Sequence, residues 1–176
     1  MADTTFLVPL YPREAIARRV RELAQALSSS FAGREPIVIG VLKGAFVFVA
    51  DLVRELEIPV TVDFLQVASY GFATESSGAV RLVKDLTLNI TGQDVIIVDT
   101  IVDTGLTLHF LRDLLLQRHP RSLTTCVLID KRQDRRVEVA LDHVGFVLPE
   151  GFVVGYGLDQ GGAYRYLDSL YLVRSL

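Results

Sequence analysis

Asp99, Thr100, Asp103, Thr104, Gly105 and Thr107 fall within one short stretch, VIIVDTIVDTGLTL at residues 95–108, and together they offer acids, hydroxyls and a flexible backbone. Each residue type has a use at a phosphorylated sugar. Asp99 and Asp103 can accept protons or hydroxyl hydrogen bonds, and the hydroxyls of Thr104 and Thr107 can donate to an oxyanion. Gly105 lets the main chain come close to that oxyanion. If a helix begins here, its first-turn N–H groups, from Thr104 through Leu106 to Thr107, lack partners within the helix and attract a phosphate. The same residues also suit an ordinary strand-loop-helix unit in which Asp103 or Thr104 merely caps the helix.

What must position them is a strand on one side and a helix on the other. Val95-Ile96-Ile97-Val98 is a continuous β-branched run behind the polar turn Thr91-Gly92-Gln93-Asp94, as expected of a parallel strand covered on both faces. Leu108 to Leu116 has helical patterning, and Pro120 closes it. Pro12 opens a helix with Ile16, Val20, Leu23 and Leu27 on one face, ending at Ser28-Ser29-Ser30 and Gly33. Pro36 leads into a strand at Ile37–Leu42, then Lys43-Gly44 and a helix from Ala45 to about Leu56. Further strands are expected at Val60–Ser69, Leu123–Ile129, Val137–Val139 and Val144–Val147, with a Gly-, Ser- and Thr-rich loop from Tyr70 to Ala79. Strands alternating with helices argue an α/β fold with an open, mostly parallel sheet flanked by helices, whose ligand crevice lies at the carboxyl ends of the strands. With no repeat, linker or low-complexity segment, residues 1–176 are expected to form one domain.

Composition narrows the function. A hydrophobic fraction of 50% and a charged fraction of 22% belong to a folded globular chain with a sizeable core. The net charge of −3 gives no general basic signature for nucleic acid, leaving Lys131-Arg132-Gln133-Asp134-Arg135-Arg136 as the one dense basic run. The lone Cys126, inside an apolar run, excludes an internal disulfide and a multi-thiolate metal site. His109, His119 and His143 have no metal or triad spacing. Neither the dinucleotide glycine fingerprint nor the Gly-Lys-Thr/Ser phosphate loop occurs. The N-terminus lacks a signal-peptide pattern, and the most apolar stretch, Ile37 to Val53, is broken by Lys43, Gly44 and Asp51, so no membrane partner and a cytoplasmic location are expected.

The string of four apolar residues, Asp99-Thr100, two apolar residues and Asp103-Thr104-Gly105-Leu106-Thr107 closely resembles the phosphoribosyl-pyrophosphate motif of the type I phosphoribosyltransferases. One position departs: Thr100 stands where the family usually has its second acidic residue. From about Ile37 onward the resemblance narrows to the hypoxanthine-guanine phosphoribosyltransferases. Leu42-Lys43-Gly44 resembles their pyrophosphate loop, with a non-proline cis peptide before the lysine. Ala68-Ser69-Tyr70-Gly71 resembles the start of their mobile active-site loop, and Phe152-Val153-Val154-Gly155-Tyr156-Gly157-Leu158-Asp159 their purine and metal segment.

The resemblance implies a role for each matching residue. Asp103 would be the general base at the purine N7. Asp99 and Thr100 would hold the ribose hydroxyls, and residues 104–107 the 5′-phosphate. Lys43, Gly44, Ser69, Tyr70 and Arg165 would contact pyrophosphate. Lys131 would donate to the purine 6-oxo group, Phe152 would stack on the base, the Val153 main chain would read its edge, and Asp159, with Asp99, would hold Mg²⁺. A small hood built from N- and C-terminal segments and a homodimer or homotetramer are also implied. The expected reaction transfers the phosphoribosyl group to N9 of hypoxanthine or guanine, giving a nucleoside monophosphate and pyrophosphate in purine salvage, with no nucleic acid partner. Two alternatives stay open: a relative acting on another base, and a non-catalytic phosphoribosyl-pyrophosphate sensor that binds nucleic acid through the basic run near Lys131.

Overall fold

The four β-branched residues Val95–Val98 are each fully buried, and burying such a side chain contributes about 1.5–3 kcal/mol. They lie in the strand that carries the acidic motif, near the middle of the larger of two sheets. This computed structural model describes residues 5–69 and 80–175. In chain order the elements are β1 (Thr5–Tyr11), α1 (Arg13–Ser30), β2 (Ile37–Leu42), α2 (Phe46–Glu55), β3 (Thr61–Ser69), β4 (Val80–Lys84), β5 (Asp94–Val102), α3 (Leu106–Leu116), β6 (Ser122–Lys131), β7 (His143–Leu148), β8 (Phe152–Val154) and β9 (Leu170–Ser175).

The larger sheet has the order β4-β3-β2-β5-β6-β7 and is parallel except for β4. Two layers of side chains cover it. On one face, Ile16, Val20, Leu23 and Leu27 of α1 and Phe48, Val49 and Leu52 of α2 pack with Val38, Ile96 and Val98. On the other, Leu108, Leu111 and Leu115 of α3 pack with Ile39, Val95 and Ile97. The helical spacing of the leucines and the period of two along the strands put each apolar set on its own layer.

From β2 the chain crosses through α2 to β3 on one side, and from β5 through α3 to β6 on the other. The order therefore reverses between the adjacent strands β2 and β5, and in such sheets the crevice outside the carboxyl ends at that point takes the ligand. Lys43-Gly44, Asp99 to Gly105 and Lys131 all lie at those ends.

Sequence and structure differ at several elements. Val137–Val139 is not a strand, because the main-chain amides of Arg136 and Val137 donate to the Thr104 carbonyl instead of to a ladder. The motif strand continues past Val98 to Val102, paired with β6, and α3 begins two residues earlier than its apolar pattern suggested. The short β4 and the terminal strands β1 and β9 were not expected as strands. β1, β9 and β8 form a separate antiparallel sheet, which realises the small hood of N- and C-terminal segments. Two contacts seat it: the Tyr11 ring stacks on Phe146 of β7 at 4.0 Å between centroids, and the buried Tyr156 donates its hydroxyl to Asp51 of α2 at 2.6 Å. No helix among the described residues is long and apolar enough to cross a membrane.

Candidate active site

Gly105 adopts φ +84° as the residue before α3. A side chain there would overlap the Val137 carbonyl oxygen, so glycine meets both a conformational and a steric demand. In a helix continued backwards, the carbonyls of Asp103 and Thr104 would accept from the amides of Thr107 and Leu108. Here they serve other donors: Arg135 Nε binds the Asp103 carbonyl at 3.1 Å, and the amides of Arg136 and Val137 bind that of Thr104 at 2.9 and 3.2 Å. Thr104 Oγ1 sits 3.4 Å from the Leu106 amide. The first turn of α3 thus keeps unpaired N–H groups beside the Thr104 and Thr107 hydroxyls, where a dianionic phosphate is favoured. Asp99, Asp103, Thr104, Gly105 and Thr107 line one cleft together with Ile101, Val102 and Leu108.

Asp99 projects into that cleft from β5. Burial pushes its carboxyl up to about 7, against the lowering effect of the Thr100 amide at 2.8 Å and of the Ile101 amide. An acid so placed favours a cation or a hydroxyl donor beside it. Thr100, its neighbour along the strand, does not share the cleft. Its side chain is fully buried on the opposite face, and Oγ1 donates to the Gly44 carbonyl at 3.1 Å. The expectation that Thr100 holds a ribose hydroxyl is corrected by this placement, because successive residues of a strand point to opposite sides.

The next cleft is lined by Gly44, Ile101, Asp103, Lys131, Phe152, Val153, Leu158, Asp159 and Arg165, so it meets the first at Asp103. Lys131 ends β6 almost entirely buried, with Nζ 3.0 Å from Asp103 Oδ2 and 2.9 Å from Asp134 Oδ2. Burial by itself would lower the lysine's pKa, but the two carboxylates outweigh it and hold it above the ordinary value, so the ammonium stays charged. The other carboxylate oxygen of Asp103, Oδ1, is buried with no hydrogen-bond partner. A charged donor and a free acceptor therefore stand side by side. Phe152, just over half exposed, offers a bare ring at the same cleft, while Val153 beside it is buried and paired to Leu172 in the small sheet.

Arg165 donates to the Gly157 carbonyl at 2.6 Å and pairs with Asp159 Oδ1 at 2.5 Å, and Asp159 Oδ2 accepts from the Gly162 amide at 2.7 Å. Lys43 is exposed after β2, and the peptide before it, Leu42–Lys43, is cis as the resemblance implied. Ser69 is the last residue of β3, with its main chain paired to Val80. Tyr70 and the loop to Ala79 lie outside the described residues.

Several residues of the site had no part in the sequence reading. Asp134 is the second partner of Lys131. Asp130, buried at the end of β6, takes Arg132 at 2.8 Å and Arg135 at 2.5 Å. The basic run 131–136 is thus not a free positive patch: its Lys131, Arg132 and Arg135 are spent on Asp103, Asp130 and Asp134, and Arg135 also clamps the Asp103 main chain. The interleaved acids in Asp-Lys-Arg-Gln-Asp-Arg-Arg were the signal for this local pairing.

Comparison with known proteins agrees with this geometry. The chain matches the family model described as phosphoribosyl transferase domain over residues 9–161. It is 50% identical to a hypoxanthine-guanine phosphoribosyltransferase of Aquifex aeolicus, with 93% of each chain covered. It is 42% identical to one of Bacillus subtilis, covering 90% of this chain and 88% of that one. Among solved structures it is similar to a hypoxanthine-guanine phosphoribosyltransferase of Bacillus anthracis, with a TM-score of 0.89, 42% identity, and 97% and 99% of the two chains covered. By sequence, fold and the arrangement of its clefts, the chain belongs to the phosphoribosyltransferase family, among the hypoxanthine-guanine phosphoribosyltransferases.

Proposed function

We propose that the chain transfers the 5-phosphoribosyl group of phosphoribosyl pyrophosphate to N9 of hypoxanthine or guanine, forming a nucleoside monophosphate and pyrophosphate in purine salvage. The observation that carries the reading is the pair at the junction of the two clefts: charged Lys131 Nζ 3.0 Å from Asp103, whose Oδ1 has no donor. A 6-oxopurine with its proton on N7 presents the matching edge, an acceptor at O6 next to a donor at N7. Lys131 serves O6, and Asp103 Oδ1 accepts the N7 proton as the bond at N9 forms. Adenine places an amino donor opposite the ammonium and leaves a buried donor unpaired, a mismatch that rejects it.

Phe152 stacks on the base, and the Val153 main chain meets its edge. The amides and hydroxyls of 104–107 fix the 5′-phosphate and with it the orientation of the sugar, while Asp99 takes ribose hydroxyls. Lys43, the Gly44 main chain and Arg165 face the pyrophosphate, with Ser69 and Tyr70 reaching it from the neighbouring loop. Most of the rate then comes from positioning and from fixed charge around a sugar that gains positive character as the pyrophosphate departs.

Asp99 and Asp159 suit Mg²⁺, which binds through one or two carboxylates together with substrate phosphates and water. Asp99 is a desolvated carboxyl that a cation would hold ionised, and each oxygen of Asp159 keeps acceptor capacity beyond its single contact. When bound, the ion neutralises charge on the pyrophosphate leaving group. A homodimer or homotetramer in the cytoplasm is the working unit, and residues 1–176 act as one domain; a solution mass tests the assembly.

The test is steady-state turnover of hypoxanthine, guanine, xanthine and adenine with phosphoribosyl pyrophosphate and Mg²⁺. Wild type should consume 6-oxopurines with release of pyrophosphate and leave adenine untouched. Asp103→Ala should lower kcat by roughly 10²–10⁴-fold. Folded wild type that turns over no 6-oxopurine, or Asp103→Ala at wild-type rates, would overturn the reading.

A further inference from the structure

Thr100 stands where relatives of this kind usually carry an acid, yet its burial and bonding make it more than a lost ligand. We infer that Thr100 is a positioning residue for the pyrophosphate loop: its hydroxyl holds the Gly44 carbonyl and so sets the distance between that loop, the acidic strand and the segment that carries Asp159. The inference rests on the reading of Lys43-Gly44 as the pyrophosphate loop.

Three observations support it. The side chain is fully buried, and its hydroxyl lies 3.1 Å from the Gly44 carbonyl oxygen, 56 residues away in sequence, so the bond spans from β5 to the loop after β2. The same carbonyl presses against Gly157, where any Cβ would overlap it, so the oxygen is held between strand and hood segment. Gly157 in turn shares two hydrogen bonds with Arg165, its amide donating to the Arg165 carbonyl at 3.0 Å and its carbonyl accepting from the guanidinium at 2.6 Å, and Arg165 pairs with Asp159. Thr100 is thus the strand end of a chain of contacts that runs through Gly44 and Gly157 to the two residues facing pyrophosphate and metal from the other side.

A carboxylate at this position cannot do the same work. It offers only acceptors when ionised, and turned toward the Gly44 carbonyl it would set acceptor against acceptor in a water-free site. It must either swing away, which leaves the carbonyl without its donor, or take up a proton in order to donate, which costs free energy at neutral pH. Thr100 therefore supplies a tether on the pyrophosphate side that an acid in its place does not reproduce.

Calorimetric binding of Mg²⁺-pyrophosphate and of GMP to wild type, Thr100→Ser, Thr100→Ala and Thr100→Asp tests this without need of turnover. Serine and alanine both lack the threonine methyl and differ only by the hydroxyl, so their difference separates the hydroxyl from the packing of that methyl. Thr100→Ser should bind pyrophosphate as wild type does, whereas Thr100→Ala should bind it about tenfold more weakly, the equivalent of one buried hydrogen bond. GMP, which lacks the pyrophosphate group, should bind all three alike, and Thr100→Asp should bind pyrophosphate no better than Thr100→Ala. Equal pyrophosphate affinity in the serine and alanine variants overturns the inference, as does an equal loss for GMP, which would mark a ribose contact, or tighter binding in Thr100→Asp. Wild type that binds neither pyrophosphate nor GMP would instead sink the functional reading on which it stands.

Discussion

Replacing Asp99 by asparagine should stabilise the ligand-free protein, and do so only above acid pH. Burial holds the Asp99 carboxyl at about 7 in the folded chain, against an ordinary 3.8. For an acid with a raised folded value, the folded state prefers the protonated form. Stability is therefore untouched below pH 3.8, falls as pH rises towards about 7, and stays at the lower level beyond. At about 1.4 kcal/mol per pH unit that interval amounts to about 4 kcal/mol, and the partial opening of Asp99 to its cleft brings the expectation down to about 3 kcal/mol. The amide keeps the shape and can still accept from the Thr100 N–H, without the charge. In a domain of this size the gain corresponds to roughly 6–12 °C in Tm. Thermal melts of both proteins without Mg²⁺ at pH 4, 5.5, 7 and 8.5 should show curves that coincide in acid and separate towards neutrality. A difference that does not change with pH, or a variant less stable at pH 8.5, would refute the argument. The same variant should lose phosphoribosyl-pyrophosphate binding, since the charge that burdens the empty fold is what a cation and sugar would use.

Arg135→Met should release the Asp103 main chain and leave buried Asp130 with Arg132 alone, lowering stability by about 3 kcal/mol and raising KM for phosphoribosyl pyrophosphate more than KM for the purine; unchanged urea unfolding and unchanged kinetics would show the clamp to be idle. Gly105→Ala forces a side chain onto φ +84° at about 1–2 kcal/mol and onto the Val137 carbonyl besides, so chemical unfolding should detect at least that loss, and a cost within about 0.5 kcal/mol would contradict the placement of the loop. Asp63 accepts from the amides of Phe64, Thr87 and Leu88, which hold its carboxyl below the ordinary 3.8 although burial opposes them. Its contribution is present above pH 3.8 and is lost as pH falls through the folded value. Asp63→Ala should accordingly cost about 3 kcal/mol at pH 7, with the gap to wild type closing in strong acid; a pH-independent gap would assign the loss to packing.

The motif at 95–108 was legible because it is local: a β-branched run, an acidic tip, a glycine and two hydroxyls define a strand, a tight turn and a helix start within fourteen positions, whatever surrounds them. The amphipathic spacing of Ile16, Val20, Leu23 and Leu27 and the run Val95–Val98 likewise carried their own burial. Lys131, Phe152, Asp159 and Arg165 could be picked out by likeness to a family, but only folding brings the end of β6 and the segment from β8 onward to the tip of β5, where Lys131 meets Asp103 and leaves Oδ1 free.

Tertiary structure alone decided the rest. Adjacent residues on a strand face opposite ways, so whether Asp99 or Thr100 reaches the ligand depends on which layer lies over each face, and that is not written in the motif. Val137–Val139 has strand-like residues, but its neighbourhood supplies the Thr104 carbonyl to bond instead of a strand edge. The basic run 131–136 looked like surface charge because sequence counts charges without their partners, whereas the fold buries Asp130 and aims Arg135 at the Asp103 main chain. Periodicity and residue chemistry fix the local elements. The pairing of groups distant along the chain follows from how the layers stack, since a hydrogen bond such as Thr100 to Gly44 exists only once a strand and a loop, with partners 56 residues apart, share one buried space.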